Sequence, residues 1–501
     1  MLVVSTNKND FEYDIHSLVK AFYPGVKVKV LTPAAESDIS STLGLPDLII
    51  NFFDERILLM LYADGECLAA GIDIHQQMSR LEEKNALKQL IYHLLSAHTE
   101  TVLPWGALTG IRPVKIPATM LARGCSDDEI IKVMQADYLC SSEKSKLALE
   151  IAHREREILT AIDYRGGYSL YVSIPFCPST CHYCSFTSYP IAKWQRYVGE
   201  YLTALFRELT VVREVWQGKC PTTIYIGGGT PTTLTAADLE RLLAELAMSF
   251  DLSKVNEFCV EAGRPDSIDE DKLAVLMRYG VSRISINPQS MNDETLKLIG
   301  RGHTALQVRE KFHLAREMGF DNINMDLIFG LPGENAADVK ITLDAISELQ
   351  PDSMTVHALA IKRAAKLTES VNENHIEAEI MKMGELTAAA MGMYPYYLYR
   401  QKNISGNFEN VGYAKPQHYG IYNILMMEEV QAIAAIGAGG VSKRLFSAGD
   451  GNVSSGDEYV SSLLPAPLPP KAVRRDNVKE VDLYIARIDE MLERKRELFA
   501  R

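Results

Sequence analysis

The sequence predicts an α/β protein built on a parallel sheet of six strand-then-helix units. Candidate strands cover residues 170–174, 223–226, 257–261, 282–286, 323–328 and 353–359, and helical runs separate most of them. Strands that alternate with helices are typical of parallel sheets. In parallel barrels the chemistry gathers at the carboxyl ends of the strands. The polar and glycine-rich motifs of this chain fall at those ends, so the same pattern predicts where the functional site lies.

The length of 501 residues predicts two or three domains. Residues 1–165 are expected to form an N-terminal α/β extension, with short strands at 2–5 and 26–31 and a meander between 48 and 72. Residues 166–394 are expected to form the parallel unit, and residues 395–501 a C-terminal α+β unit that ends in a helix from Lys479 to about Leu498. The segment 105–115 has two interpretations, a specific contact loop or an ordinary turn.

The composition indicates a soluble globular protein, since 47% of the residues are apolar and 23% are charged. A net charge of −13 argues against a general nucleic-acid surface. No apolar run approaches the roughly 18–20 residues that a membrane span needs. The amino terminus lacks a basic region followed by an apolar stretch, so we expect a cytoplasmic protein.

Three cysteines carry the strongest chemical signal: Cys177, Cys181 and Cys184. Their three-then-two spacing brings three thiolates to three corners of a [4Fe–4S] cube, whereas electron-transfer clusters use four. One iron is then left for an exchangeable ligand, as cleavage of S-adenosylmethionine requires. The alternatives are a zinc knuckle completed by His182 or a distant ligand, or three unrelated buried cysteines. Zinc sites usually show paired motifs, and no second pair exists here.

Five motifs occur in order along the chain, and they begin with Tyr171-Val-Ser-Ile-Pro-Phe-Cys177. The others are Gly227-Gly-Gly-Thr-Pro, Arg283-Ile-Ser-Ile with Gln289-Ser, Gly300-Arg-Gly-His-Thr, and Asn324-Met-Asp-Leu-Ile-Phe-Gly-Leu-Pro-Gly. Over residues 168–500 they resemble the oxygen-independent coproporphyrinogen III oxidase family of radical S-adenosylmethionine enzymes. The long N-terminal part resembles the coproporphyrinogen dehydrogenase-like branch. This resemblance implies a radical SAM partial (β/α)6 barrel with a C-terminal domain that covers the substrate.

The resemblance also implies the cofactors, a [4Fe–4S] cluster on the three cysteines and S-adenosylmethionine bound to it. Gly228 is expected to receive the aminoacyl group, Tyr183 to stack on adenine, Arg301 to pair with the carboxylate and Asp326 to bind ribose. The alternative for each polar residue is that it satisfies the loop backbone. A second S-adenosylmethionine is expected at Gly229, Thr230, Ala360 and Val441. The full set of expected cofactor contacts is Tyr171, Tyr183, Gly228, Gly229, Thr230, Glu261, Gln289, Arg301, Asp326, Ala360 and Val441. No further catalytic residue is expected, and around Glu261 the chain reads Ala-Gly-Arg-Pro where relatives more often carry Asn-Pro.

The implied reaction converts two propionates of coproporphyrinogen III into vinyl groups, with electrons from a low-potential donor such as flavodoxin or ferredoxin. Arg400 and Lys402 are expected to bind propionates, and the alternative for them is a solvated basic turn. One residue departs from the oxidases: Phe186 stands where they have a further cysteine. Phe186 is the form of the haem-chaperone branch, for which the conceivable haem ligands are His182, His303, His357 and His418.

Overall fold

The computed structural model describes residues 1–34, 46–63, 66–73, 78–110, 112–360, 378–401, 407–446 and 471–500. These residues form two compact units. The first contains Met1–His153 and the described residues of Arg400–Glu409, and the second contains all other described residues. The division falls twelve residues before the expected boundary at 165 because Ile158 and Leu159 pack against Tyr396 and Tyr397 of the second unit.

The first unit has a five-stranded sheet in the order β2-β1-β3-β4-β5, with β1 parallel to β2 and β3 and the remaining pairs antiparallel. Its strands are β1 Leu2–Thr6, β2 Val28–Leu31, β3 Leu48–Phe53, β4 Arg56–Ala63 and β5 Glu66–Asp73. Its helices are α1 Glu12–Phe22, α2 Arg80–Thr99, α3 Lys115–Ala122 and α4 Asp127–Ala136, followed by α5 Ser142–Thr160. Ser79 and Ser126 begin α2 and α4 with capping boxes, as their Ser-x-x-Glu sequences favour.

Trp105 is a core residue of the first unit, and its indole Nε1 donates to Glu409 Oε2 at 2.7 Å. Lys144 Nζ donates to the other carboxylate oxygen of Glu409 at 2.6 Å. All three side chains are buried. Glu409 therefore anchors a segment from late in the sequence within a unit built mainly from its beginning, which sequence periodicity does not reveal.

The second unit contains an eleven-stranded sheet whose central six strands are parallel and follow chain order, which confirms the predicted fold class. These strands are β6 Tyr168–Ile174, β9 Thr223–Gly228, β10 Glu257–Gly263, β11 Arg283–Ile286, β12 Ile323–Phe329 and β13 Ser353–Ala358. A separate two-stranded pair, β7 Phe176–Cys177 and β8 Tyr189–Pro190, lies between β6 and β9 in the sequence.

Helices follow the parallel strands, and several begin at a side-chain cap such as Thr235, Asp269 or Asn335. The helices of this unit are α6 Ile191–Trp194, α7 Val198–Val215, α8 Ala236–Ser249, α9 Glu270–Arg278, α10 Asp293–Leu298, α11 Ala305–Glu317, α12 Ala336–Leu349, α13 Ala378–Ala390, α14 Ile421–Glu428, α15 Val481–Ala486 and α16 Ile488–Phe499. Within the described ranges, no helix combines the length and apolar character that a bilayer span requires.

The C-terminal strands extend both sides of the parallel sheet, where a separate covering domain over 395–501 was expected. They are β14 Tyr394–Tyr399, β15 Asn410–Ala414, β16 Ala432–Ile436, β17 Val441–Phe446 and β18 Lys471–Asp476. β15 pairs antiparallel with β13, and β16 pairs parallel with β6. These strands join the barrel sheet because their backbone groups complete the edges that six parallel strands leave open. The predicted final helix is present as α15 and α16.

Glu208 of α7 fixes these C-terminal elements to the barrel. Its fully buried carboxylate accepts hydrogen bonds from Gly437 N at 2.8 Å, Asn477 Nδ2 at 2.8 Å and Tyr484 OH at 2.6 Å. Lys495 Nζ lies 3.1 Å from the same group. The buried charge is thus paired and hydrogen-bonded, as a low-dielectric environment demands.

Candidate cofactor site at the strand ends

The three predicted cluster cysteines lie on the loop that follows β6. Cys177 and Cys181 are buried, and Cys184 is partly buried. Burial raises the pKa of the Cys177 thiol to about 11 and also raises the pKa of Cys184. Because metals bind the thiolate, loading this loop must release protons.

His182, the alternative ligand for a zinc ion, forms hydrogen bonds with backbone carbonyls. Its backbone N donates to Ile299 O at 2.9 Å, and its Nδ1 lies 3.0 Å from Leu298 O, as a donor to that carbonyl. Within the described part of the chain, no three Cys, His, Asp or Glu side chains converge on a single ion position. The histidine of the cysteine loop is therefore tied to the segment before Gly300.

The glycine-rich end of β9 lies directly against the cluster loop. Gly228 has a φ of +106°, which favours glycine. A Cβ on Gly229 would lie 2.6 Å from Phe176 O and 3.0 Å from Cys177 Sγ, so no larger residue fits there. Thr230 is buried, with Oγ1 3.5 Å from the same sulfur. Gly229 and Thr230 therefore contact the cluster loop, and their expected contact with a second S-adenosylmethionine stays a prediction.

Glu261 near the end of β10 belongs to an aromatic layer inside the barrel. Its Oε1 accepts a hydrogen bond from Tyr225 OH at 2.5 Å. Tyr225 stacks on Tyr422 at 4.5 Å and on Tyr171 at 6.0 Å between ring centroids. Burial, together with the charge of Asp326, raises the pKa of Glu261 to about 7. Sequence reasoning missed Tyr225 and Tyr422, although Tyr225 lies two residues before Gly227 and hence on the same face of β9.

Arg301 and Tyr183 form a pair beside the cluster loop. Arg301 Nη2 donates to Tyr183 OH at 2.9 Å. The Tyr183 ring packs against apolar side chains that include Leu296 and Ile299. The Nε and Nη1 groups of Arg301 are shielded from solvent and have no hydrogen-bond partner among the described residues. Unpaired N–H groups on a buried cation attract an anionic oxygen, such as one from a carboxylate.

Asp326 on β12 is held as an anion near the same strand ends. Burial acts to raise its pKa, but His357 and the hydrogen bonds to the carboxylate outweigh burial and leave the pKa lowered. Asn324 Nδ2 donates to Asp326 Oδ1 at 2.7 Å, and His357 Nε2 lies 3.9 Å from Oδ2. The backbone N of Gln289 donates to Asp326 O at 3.0 Å, and Gln289 has a left-handed φ of +68°. The structure thus brings Gln289 and Asp326 together, as predicted for residues at neighbouring strand ends.

Arg264, in the Ala-Gly-Arg-Pro departure, was not among the predicted contacts, yet it reaches the cluster loop. Its Nη1 lies 3.0 Å from Ser179 O, 2.8 Å from Ser179 Oγ and 3.9 Å from Cys181 Sγ. Its Nε and Nη2 bind Asp266 Oδ1 and Oδ2 at 2.9 and 2.5 Å. An arginine where relatives more often carry asparagine was the sequence signal that marked this position.

The remaining predicted residues lie elsewhere or outside the described residues. Ala360 directly precedes the gap that begins at residue 361, and Val441 is an exposed residue at the start of β17. Lys402 lies outside the described residues.

The interpretation of Arg400 as a free propionate ligand needs correction. Its side chain is only 5% exposed. Its guanidinium donates to the backbone carbonyls of Leu108, Asn407 and Phe408, within the first unit. Since these carbonyls already accept from it, Arg400 is a structural residue and is not proposed again as a substrate ligand.

Comparison with known proteins identifies the family of this chain. Residues 171–346 match the family described as the radical SAM superfamily. Over 382 residues the chain is 44% identical to the oxygen-independent coproporphyrinogen-III oxidase-like protein HemZ of Bacillus subtilis (strain 168), an alignment that covers 74% of this chain and 76% of that protein.

Two other relatives match a shorter part. The heme chaperone HemW of Bacillus subtilis (strain 168) is 39% identical over 199 residues, which cover 39% of this chain and 51% of HemW. The oxygen-independent coproporphyrinogen III oxidase of Escherichia coli (strain K12) is 34% identical over 188 residues, which cover 38% of this chain and 41% of that oxidase. Radical SAM proteins use a [4Fe–4S] cluster and S-adenosylmethionine, and these are the cofactors of this chain. The chain belongs to the radical SAM superfamily and, within it, to the family of HemZ, the coproporphyrinogen-III oxidase-like protein.

Proposed function

We propose that this protein catalyses the oxygen-independent oxidative decarboxylation of coproporphyrinogen III to protoporphyrinogen IX. The observation that carries the proposal is the extent of the similarity to the oxidase-like HemZ, which spans 74% of the chain. The similarity to the heme chaperone HemW spans only 39%. Regions outside the shared radical SAM part therefore also resemble the oxidase-like relative.

The residues of the site fit the cofactors. We propose that Cys177, Cys181 and Cys184 bind three irons of the cluster and that Gly228 accepts the aminoacyl end of S-adenosylmethionine. The two unpartnered nitrogens of Arg301, Nε and Nη1, support a carboxylate contact, and Tyr183 holds that guanidinium in place. The anionic Asp326 and the Glu261–Tyr225 pair supply acceptors and donors for the ribose and amino groups. Gln289, Tyr171, Ala360 and Val441 remain proposed cofactor contacts.

When bound, the two cofactors supply a 5′-deoxyadenosyl radical, which abstracts hydrogen from an unactivated carbon. In the proposed reaction, the β-carbon of a propionate gives up one hydrogen atom. Loss of carbon dioxide and one electron then leaves a vinyl group, so the electron requires an acceptor. The chain's own contribution is binding: it orients the cofactors, excludes water and holds a substrate whose ring is apolar and whose propionates are anionic.

The substrate and electron-donor sites complete the proposal. The stacked rings of Tyr171, Tyr225 and Tyr422 support an apolar wall inside the barrel. Lys402 remains a proposed propionate ligand, since a lysine ammonium suits a carboxylate. A flavodoxin or ferredoxin in the cytoplasm is proposed as the one-electron donor.

The decisive experiment uses the full chain, reconstituted with iron and sulfide without oxygen. Coproporphyrinogen III, S-adenosylmethionine and a low-potential reductant are added, and vinyl products and 5′-deoxyadenosine are measured together. We expect about one 5′-deoxyadenosine for each propionate converted. Cofactor cleavage without porphyrin product would contradict the proposed substrate while leaving the radical SAM chemistry intact. The Cys181→Ala variant is the matched control, since it should make neither product.

Phe186 supports a second function, that of a haem-binding chaperone. Its side chain is 71% exposed beside the cluster loop, where the oxidases carry a cysteine. The chain is also 39% identical to HemW over 199 residues. The same preparation should then bind haem stoichiometrically and transfer it to an apo-haemoprotein, with no vinyl product. Phe186→Cys serves as the comparison variant in both assays.

A further inference from the structure

Arg264 is a buried cation that contacts Asp266 on one side and the cluster loop on the other. It is only 3% exposed and lies immediately after β10. The Nε–Nη2 edge of the guanidinium binds both carboxylate oxygens of Asp266, which leaves Nη1 to face the cluster loop. Nη1 contacts Ser179 and, at 3.9 Å, the sulfur of Cys181. The positive end of the ion pair therefore points at a thiol, and the negative end is on the opposite edge.

Gly302 packs closely against the ion pair of Arg264 and Asp266. A Cβ on Gly302 would lie 3.0 Å from Arg264 Nη2 and 3.2 Å from Asp266 Oδ2. Gly302 belongs to the same Gly-Arg-Gly-His segment that supplies Arg301. A Cβ at position 302 would press on the ion pair, which would have to yield by a few tenths of an ångström. The segment that carries Arg301 therefore packs closely against the pair.

Charge near a cluster sulfur acts on the reduction potential. Hydrogen bonds to the sulfurs and the net charge around a cluster are established determinants of its potential. Reduction adds one negative charge to the cluster, and a nearby cation stabilises that charge more strongly where water is excluded. Buried Arg264 is such a cation, and Asp266 reduces its effect without cancelling it because Asp266 binds the far edge.

We propose that Arg264 is a positioning residue that donates to the Cys181 thiolate and raises the reduction potential of the cluster, and that Asp266 moderates this effect. The inference depends on the proposed ligation of the cluster by Cys181, but not on the identity of the substrate. It makes the ion pair a device that sets how readily the electron donor reduces this protein.

The test compares Arg264→Gln, Arg264→Lys and Asp266→Asn in the reconstituted full chain without S-adenosylmethionine. Iron and sulfide are counted first, and the midpoint potential is then measured by titration with the electron paramagnetic resonance signal of the reduced cluster. At a fixed solution potential, Arg264→Gln should lower the ratio of reduced to oxidised cluster at least tenfold. This corresponds to a midpoint potential lower by about 59 mV for one electron. Arg264→Lys should lower the midpoint potential less, because lysine keeps the positive charge. Asp266→Asn should shift it in the opposite direction, because it leaves the cation unbalanced.

Arg283 provides the matched control. It is also buried on a barrel strand, but it starts β11 and donates to Asn322, Ser353 and the His418 carbonyl. Arg283→Lys should perturb stability without moving the potential. If Arg264 only held the loop in place, Arg264→Gln and Asp266→Asn would shift the midpoint potential in the same direction or leave it unchanged.

The outcomes separate this inference from the proposal on which it depends. Unchanged potentials in fully loaded Arg264→Gln and Asp266→Asn proteins would overturn the role of Arg264. If Arg264→Gln fails to fold or to hold iron, the inference is tested on the midpoint potentials of Arg264→Lys and Asp266→Asn. Two potentials equal to that of the unaltered protein would overturn it. A full cluster in Cys181→Ala would instead contradict the ligation proposal.

Discussion

Replacing Arg301 with methionine should move two measured quantities in opposite directions. The guanidinium is buried, with one N–H group on Tyr183 OH and two nitrogens, Nε and Nη1, without a partner among the described residues. Each buried donor that lacks a partner costs roughly 1–3 kcal/mol, and apolar residues of similar volume often replace buried charges without loss. Methionine leaves the Tyr183 hydroxyl without its donor, which offsets about 1 kcal/mol of the gain. We therefore expect the free energy of unfolding of the cofactor-free protein to rise by about 1–4 kcal/mol.

Cofactor binding should respond in the other direction. A charge-assisted contact to the carboxylate of S-adenosylmethionine contributes about 1.5–3 kcal/mol, so its loss should weaken binding roughly ten- to a hundred-fold. Urea unfolding of the cofactor-free chain and anaerobic equilibrium dialysis of the cluster-loaded chain measure the two effects. Arg309→Met on α11 is the control, because Arg309 is partly exposed and pairs with Glu348 on the neighbouring helix. Unchanged affinity for S-adenosylmethionine, or a loss of stability above about 2 kcal/mol, would refute the reasoning.

Three further predictions concern the cluster, the interior acid and the first unit. Cys181→Ala should lose most bound iron and sulfide on reconstitution, and a full, reducible cluster would contradict the assignment of this loop. Burial raises the pKa of Glu261 from 4.5 to about 7, so the folded state holds an extra proton between these values. The free energy of unfolding of the cofactor-free chain should therefore fall by roughly 3 kcal/mol as the pH rises from about 4.5 to 7, and Glu261→Gln should abolish that slope. Glu409→Gln removes the charge partner of buried Lys144 and should destabilise the first unit by about 3–5 kcal/mol in urea unfolding, whereas an effect below about 1 kcal/mol would show that the pair contributes little.

The barrel was predictable because its signals are local. Each parallel strand is a short apolar run followed by a helix with its own capping residue, and the strand ends carry the polar motifs. The pairing of Gln289 with Asp326 and of Gly229 with Cys177 follows from this rule, since neighbouring parallel strands end at the same edge. Residues at strand ends could thus be found without knowing the three-dimensional structure.

The features that sequence reasoning missed depend on contacts between distant parts of the chain. Arg400 reads as a free cation in a basic segment, and only its burial against backbone carbonyls reveals a structural role. Tyr422 reads as part of an amphipathic helix, but α14 brings it to the ring of Tyr225. Glu409 likewise reads as an ordinary acid until Trp105 and Lys144 are known to contact it. Periodicity reports which face of an element is buried, but not which distant element covers it.

The pairing of β6 with β16 has a consequence for synthesis on the ribosome. One edge of β6 pairs with β9, the next long strand in the sequence. On the other edge, among the residues that the structure describes, residues 168–172 pair only with residues 432–436. While the intervening chain is being translated, the strand that leads into the cysteine loop therefore keeps a row of unpaired backbone groups, which is a template for wrong pairing. The second edge of β6 can form its backbone hydrogen bonds only after residues 432–436 have been synthesised. A chain that stops before residue 432 would carry all three cysteines and still leave this strand as an open edge.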